Sequence, residues 1–151
     1  MASIALTGDD VIQINSRALA NLADGNCVEL SFPNEIAKMK ISKNGNVIYA
    51  LDNTGLEVDL TIRLVVGSAD DKYLNSLMQS MVNGISSFTL MTASFVKRVS
   101  DGQGNMNTVT YMLAGGIFRN GVDAKTAAEG DTEQSVVTYK MKFANGGRTI
   151  Q

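Results

Sequence analysis

Histidine and tryptophan are absent from this 151-residue sequence, and cysteine and proline occur once each, as Cys27 and Pro33. Without histidine the chain lacks the usual neutral-pH general base and the commonest metal ligand, which weighs against an enzyme. One cysteine permits no internal disulfide and no cysteine-based metal site; Cys27 reads as a small buried apolar residue. No run of some eighteen apolar residues exists, so no membrane-spanning helix is expected, and the start, MASIALTGDDVIQI, lacks the pattern of a signal peptide. No long basic run is present and the formal net charge is -2, which argues against tight binding to a nucleic acid backbone. A GxSxG elbow and a GxxxxGK[ST] phosphate loop are missing as well.

What is present is pattern. Hydrophobic residues make up 44% of the chain and charged residues 19%, enough apolar content for one ordinary domain with a core and too much for disorder. Fourteen glycines are spread along the chain and suit many turns between strands. The organisation expected is a single domain, 1–151, with an N-terminal arm over about 1–14 and a long polar loop over about 118–134. VIQI (11–14) reads as a first strand. SRALANLADG (16–25) reads equally as a short helix or as an extended arm with a turn. CVELSF (27–32) alternates, with Val28, Leu30 and Phe32 on one side. IAKMKIS and VIYAL flank Asn44-Gly45, a pair that tolerates positive φ, so 36–51 is expected to be a hairpin.

The clearest segment is LEVDLTIRLVVGSADDKYLNSLMQSMV, 56–82. Leu56, Val58, Leu60, Ile62 and Leu64 share one face of a strand; Glu57, Asp59, Thr61 and Arg63 share the other. A helix follows, with Ser68 as N-cap and Asp70 and Asp71 where the dipole favours negative charge. Leu74, Leu77, Met78 and Met81 form its packing stripe, and Asn83-Gly84 ends it. Three further extended segments are expected at 87–99, 107–118 and 135–144, the first two joined by a polar loop. With six to eight strands and one helix, the fold class is mainly β with one helix: a curled, β-barrel-like antiparallel sheet with the helix packed on it.

Candidate chemistry is thin. Glu57 and Asp59 point to one strand face, but they sit mid-strand among polar residues and read as a solvated wall rather than a glycosidase pair. Asp101, Asn105 and Asn107 match no complete calcium loop and read as turn chemistry. The eight methionines are scattered over several elements and fit core filling and subunit contacts better than one ligand groove. No catalytic, cofactor-binding or metal site is expected, and no cofactor.

The order of elements resembles the tail tube proteins of contractile-tailed bacteriophages, which share an architecture with type VI secretion tube proteins. The passages that carry the resemblance are SFPNEIAKMKISKNGNVIYALDNTG, LEVDLTIRLVVGSADDKYLNSLMQSM and the closing VVTYKMKFANG. The resemblance implies a homo-oligomer of six-membered rings stacked into a hollow tube, located in the virion tail and assembled in the host cytoplasm. Tail sheath, baseplate and tail terminator proteins would be its partners, and double-stranded DNA would pass through without specific binding. It implies a lumen lined by Glu57, Asp59, Thr61 and Arg63, and contacts through 1–14, 42–55, 118–134 and Asp24-Gly25-Asn26. The rival readings are a type VI-like tube, a small β-barrel binding an apolar ligand or peptide, and an acid–base enzyme using Glu57 and Asp59.

Overall fold

The computed structural model describes residues 5–6, 10–22, 27–100, 102–122 and 136–151; expectations for Asp24-Gly25-Asn26, Asp101, most of the 118–134 loop and the first residues of the arm lie outside them. The strands are β1 (Ala5–Leu6), β2 (Val11–Ile14), β3 (Arg17–Ala18), β4 (Val28–Ser31), β5 (Ala37–Ile41), β6 (Val47–Leu51), β7 (Val58–Val65), β8 (Met91–Ser100), β9 (Met106–Phe118) and β10 (Val136–Ile150), with helix α1 (Ala69–Asn83) between β7 and β8.

The main sheet has eight strands, all paired antiparallel, along the path β3-β2-β8-β9-β10-β7-β4 with β1 added to β8. This corrects the expected curled, barrel-like sheet. The hydrogen-bonded path is linear and does not return from β4 to β3, so the sheet is open. The two end strands are short, at two and four residues, and offer few backbone groups with which to close a ladder. The mainly-β composition with one helix stands.

The alternation in β7 becomes burial. Val58, Leu60, Ile62 and Leu64 are fully buried, while Asp59, Thr61 and Arg63 on the opposite face are half-buried. Facing the apolar side are Leu74 and Met78 of α1, with Leu77 and Met81 packed at the margin of the core. Ser68 caps the helix by accepting a hydrogen bond from the Asp71 N–H, as its position before the stripe predicts. Ile12 and Ile14 of β2, Leu19 after β3, Met91 and Ala93 of β8, Leu113 and Phe118 of β9, and Tyr139, Met141 and Phe143 of β10 complete the core.

Two turns differ from expectation. Asn15 and Ser16 both have positive φ, +50° and +69°, in a two-residue loop pairing Ile14 with Arg17. A tight primed turn therefore stands where a helix was one of two readings for 16–25. In the 36–51 hairpin only Gly45 has positive φ, and the Ser42 N–H donates to the Asn46 carbonyl at 2.8 Å. That is a three-residue loop with a left-handed glycine, not the two-residue turn that Asn44-Gly45 suggests.

Strand β10 runs to Ile150, well past the expected end at 144. Its continuation depends on a change of facing. Gly115 adopts φ +71°, and the β8–β9 register shifts between Met91 and Ala93. Beyond it the inward positions change parity: Phe118 and then Leu113 on β9 are buried, while Phe143 and then Gly146 on β10 turn inward. A side chain at Gly146 would meet Val58 Cγ2 and come within 2.9 Å of Leu113 Cδ2, so the bare glycine lets these groups close the core.

Candidate functional site

Three surfaces bear on function: the polar face around β7, the helix–sheet seam, and the free strand edges with the β5–β6 hairpin.

On the polar face, Glu57, Asp59, Thr61 and Arg63 lie side by side as expected, and the register adds neighbours that the sequence alone did not. Thr61 is opposite Lys140 and Asp59 opposite Lys142 on β10; on the other side Thr61 faces Glu29 and Asp59 faces Ser31 on β4. Glu57 lies 3.4 Å from Lys142 Nζ and accepts from Asn34 Nδ2 at 2.9 Å. Asp59 lies 3.8 Å from Arg119. The two carboxylates are thus drawn to different cations rather than converging as an acid–base pair. The pairing of Glu57 with Lys142 is made inside the subunit. The face holds Glu29, Glu57 and Asp59 against Arg63, Arg119, Lys140 and Lys142, a mixed surface with a slight excess of positive charge. A shallow polar cleft of about 370 Å³ opens here, lined by Ser31, Asp59, Thr61, Arg119, Asn120 and Lys140. Asp59 Oδ1 is buried in this region without a hydrogen-bond partner.

At the seam, the two aspartates explained by the helix start do more than that. Asp70 is 2% exposed and accepts from the Ala20 and Asn21 N–H groups at 2.6 and 2.8 Å, with Arg17 at 3.4 Å. It fastens the segment after β3 to the helix N-terminus. Arg17 also stacks over Tyr73, 4.7 Å from the ring centroid. Asp71 accepts from the Gly67 N–H at 2.8 Å and from the Tyr139 hydroxyl, joining helix to sheet. Burial first, and donation to Asp71 second, push the Tyr139 hydroxyl well above the usual tyrosine range. An acid pair at a helix start is a capping signal in any sequence, so only the tertiary contact distinguishes Asp70.

The third surface is the least satisfied. Among the described strands β5 and β6 pair only with each other. All ten of their residues are exposed. The pairs Ala37–Leu51, Met39–Tyr49 and Ile41–Val47 put six apolar side chains on one face, with Tyr49 75% and Leu51 77% exposed. Lys38, Lys40, Ile48 and Ala50 occupy the other face. The base is held firmly. The Asp52 N–H donates to the Ile36 carbonyl at 2.8 Å, Lys38 lies 3.3 Å from Asp52, and Gly55 packs directly against Ile36. The Asp52 carboxylate accepts from the Thr54 hydroxyl and N–H, which hold its pKa below the usual range, with Lys38 adding a smaller pull. β4 pairs with β7 alone among the described strands, so its other edge is open. Beyond Phe143, β10 pairs with β9 alone among the described strands.

Among the described residues no group of three or more His, Cys, Asp or Glu side chains is placed to hold a metal ion, and no helix is long and apolar enough to cross a membrane.

This architecture is found in solved structures. A chain of an extracellular contractile injection system, the PVC sheath-tube complex in its extended state, matches with a TM-score of 0.58 at 10% identity over 94% of this chain and 87% of that one. The anti-feeding prophage cap, a tube-terminating cap, matches with a TM-score of 0.57 at 10% identity, covering 96% and 89%. The PVC sheath/tube terminator in its extended state gives 0.56 at 9% identity, covering 96% and 94%. The fold is shared with chains of contractile injection system sheath-tube, cap and terminator assemblies. At this identity the likeness is one of fold. No protein-family model matches the sequence, and no curated protein matches it either.

Proposed function

We propose that this chain is the tube subunit of a contractile injection apparatus. Copies close into rings, six-membered as the sequence resemblance implies, and rings stack head to tail into a hollow tube. The carrying observation is the combination of an open sheet with free strand edges and a hairpin whose apolar face is left exposed by the described residues. Unpaired edges and exposed apolar faces are liabilities in a monomer and become contacts in a closed assembly. The chain acts as one domain, and its 118–134 loop reaches neighbouring copies; of the expected 1–14 arm, Ala5–Leu6 and Val11–Ile14 belong to the subunit's own sheet. Sheath and terminator proteins are its outer and end partners, the baseplate starts its assembly, and it is built in the cytoplasm of the producing cell. The role is structural rather than catalytic.

The secretion-like reading is favoured over the phage tail, because the solved structures that share the fold come from extracellular injection and anti-feeding systems. In the tube, Glu57, Asp59, Thr61 and Arg63 line the lumen. The mixed charge of their face supports a cargo other than DNA, since an all-acidic wall repels a phosphate backbone better than one carrying Arg63, Arg119, Lys140 and Lys142. Negative-stain imaging of purified protein across a concentration series tests the proposal. Rings of uniform diameter or tubes are expected; a monomer that persists at high concentration refutes it.

A further inference from the structure

The hairpin and the open edge of β4 fit one another, and the fit is one of hydrogen-bond parity as well as side-chain pattern. On β4, the Cys27 carbonyl accepts from the Arg63 N–H, which sets Cys27, Glu29 and Ser31 bonding inward to β7. The backbone groups of Val28 and Leu30 therefore point to the free edge. On β5, the bonds Ser42–Asn46 and Asp52–Ile36 set Ile36, Lys38, Lys40 and Ser42 bonding inward to β6. The backbone groups of Ala37, Met39 and Ile41 therefore point outward. On both strands the residues with free backbone groups are the apolar ones. In an antiparallel pairing, residues that exchange hydrogen bonds project their side chains to the same face. Joining the two edges therefore aligns Val28 and Leu30 with Met39 and Ile41 on one face and brings Glu29 to the lysines on the other. Glu29 and Lys40 have no ion-pair partner within the described residues, whereas Lys38 is held by Asp52.

From this match we infer that β5 of one copy adds antiparallel to the β4 edge of a second copy, with Met39 opposite Leu30, Ile41 opposite Val28 and Lys40 opposite Glu29. The inference rests on the tube-subunit reading and names the partner strand within it. β6 is a poorer candidate, because its other face carries Ile48 and Ala50 and would leave Glu29 without a cation. The same register within one chain would need only the connection 32–36, but in the structure the hairpin forms a sheet of its own, unpaired with β4, with Ile36 clamped against Asp52 and Gly55. A two-stranded hairpin is marginal alone in water, and a third strand with a shared apolar face stabilises it.

In the proposed register Glu29 and Lys40 form a non-hydrogen-bonded pair with Cα atoms about 4.5 Å apart, within the range of about 4.4–6.8 Å that a disulfide spans. The test uses the full chain on a Cys27→Ser background. Copies carrying Glu29→Cys are mixed with copies carrying Lys40→Cys, in excess Cys27→Ser protein, at concentrations where the Cys27→Ser protein assembles. A disulfide-linked dimer containing one of each, with none when Lys97→Cys replaces Lys40→Cys, is the expected result. Rings or tubes without that dimer overturn the strand pairing and leave the tube reading standing. Absence of any assembly in the wild-type protein overturns both. A chain carrying both cysteines that closes the bond within itself at high dilution also overturns the inference. Charge exchange gives an independent readout: Glu29→Lys and Lys40→Glu each raise the concentration needed for assembly severalfold, about two- to fivefold per contact for like charges placed opposite, and the double exchange restores it. Failure of the double exchange to restore assembly, with both single variants folded, counts against the pairing.

Discussion

Asp70 offers the sharpest test of how the helix is tied to the sheet's edge. Its carboxylate is 2% exposed and receives two backbone N–H groups at 2.6 and 2.8 Å. A hydrogen bond to a charged group contributes about 1.5–3 kcal/mol. Ala20 and Asn21 are exposed residues whose amides recover part of that loss by bonding water. The Arg17 contact at 3.4 Å involves a side chain 42% exposed and adds less than about 1 kcal/mol. Asp70→Ala is therefore expected to cost about 3 kcal/mol, which for a chain of this size lowers Tm by about 6–12 °C. Asp70→Asn keeps one acceptor oxygen without the charge and should lose about half as much. Arg17→Ala should lose least. Thermal unfolding followed by far-UV circular dichroism, at concentrations below assembly so that mass action does not enter, checks the order. A loss below about 1 kcal/mol for Asp70→Ala, or one no larger than that of Arg17→Ala, would mean that the paired amides do not hold the 17–21 segment to the helix.

Tyr139 should make stability fall at high pH. Its folded-state pKa is raised, so its contribution is complete below the unfolded value near 10 and is lost as pH climbs above that toward the folded value. Tyr139→Phe should flatten that alkaline decline in a denaturant series while costing about 1–2 kcal/mol at pH 7 through the lost bond to Asp71. Gly146→Ala should destabilise by about 1–3 kcal/mol, because the new Cβ runs into Val58 and Leu113; an unchanged denaturation midpoint would show that the inward turn after Phe143 is not tightly packed. Leu74→Ala, at the fully buried centre of the α1 stripe, should cost about 2–5 kcal/mol by the same assay. Lys142→Ala should move stability by less than about 1 kcal/mol, since the side chain is 43% exposed.

The elements most legible in the sequence are those whose pattern is local and long. β7 shows seven residues of strict alternation, 58–64, and α1 carries an N-cap serine, an apolar stripe and a terminal asparagine-glycine pair, so both are found close to where the pattern puts them. The turn chemistry misleads because the motif is judged without its register. Asn44-Gly45 makes a three-residue loop, while the primed two-residue turn falls on Asn15-Ser16, whose serine gives no such signal. The length of β10 is hidden because a change of facing at Gly115 breaks the alternation that a strand is recognised by. Closure of the sheet is not a local property at all. It depends on whether β3 meets β4, and nothing in Arg17–Ala18 or Val28–Ser31 encodes a partner on the far side of the molecule. The residues of the polar face were found, but the cations that neutralise Glu57 and Asp59 come from β10 and the end of β9, distant in sequence and adjacent only by register.

The hairpin shows a different relation between pattern and structure. Its alternation, Ala37-Lys38-Met39-Lys40-Ile41, is as regular as that of β7, yet β7 buries its apolar set completely and the hairpin buries none. The two segments obey one rule of pattern and differ in whether the described residues supply a covering layer. Period-two apolar patterning is maintained by burial, because an exposed strand gains nothing from keeping one side free of charge. Six apolar side chains on a face that the described residues leave exposed are what the proposed contact between copies would maintain. The firm clamp at Ile36, Asp52 and Gly55 fixes the direction in which that face is presented.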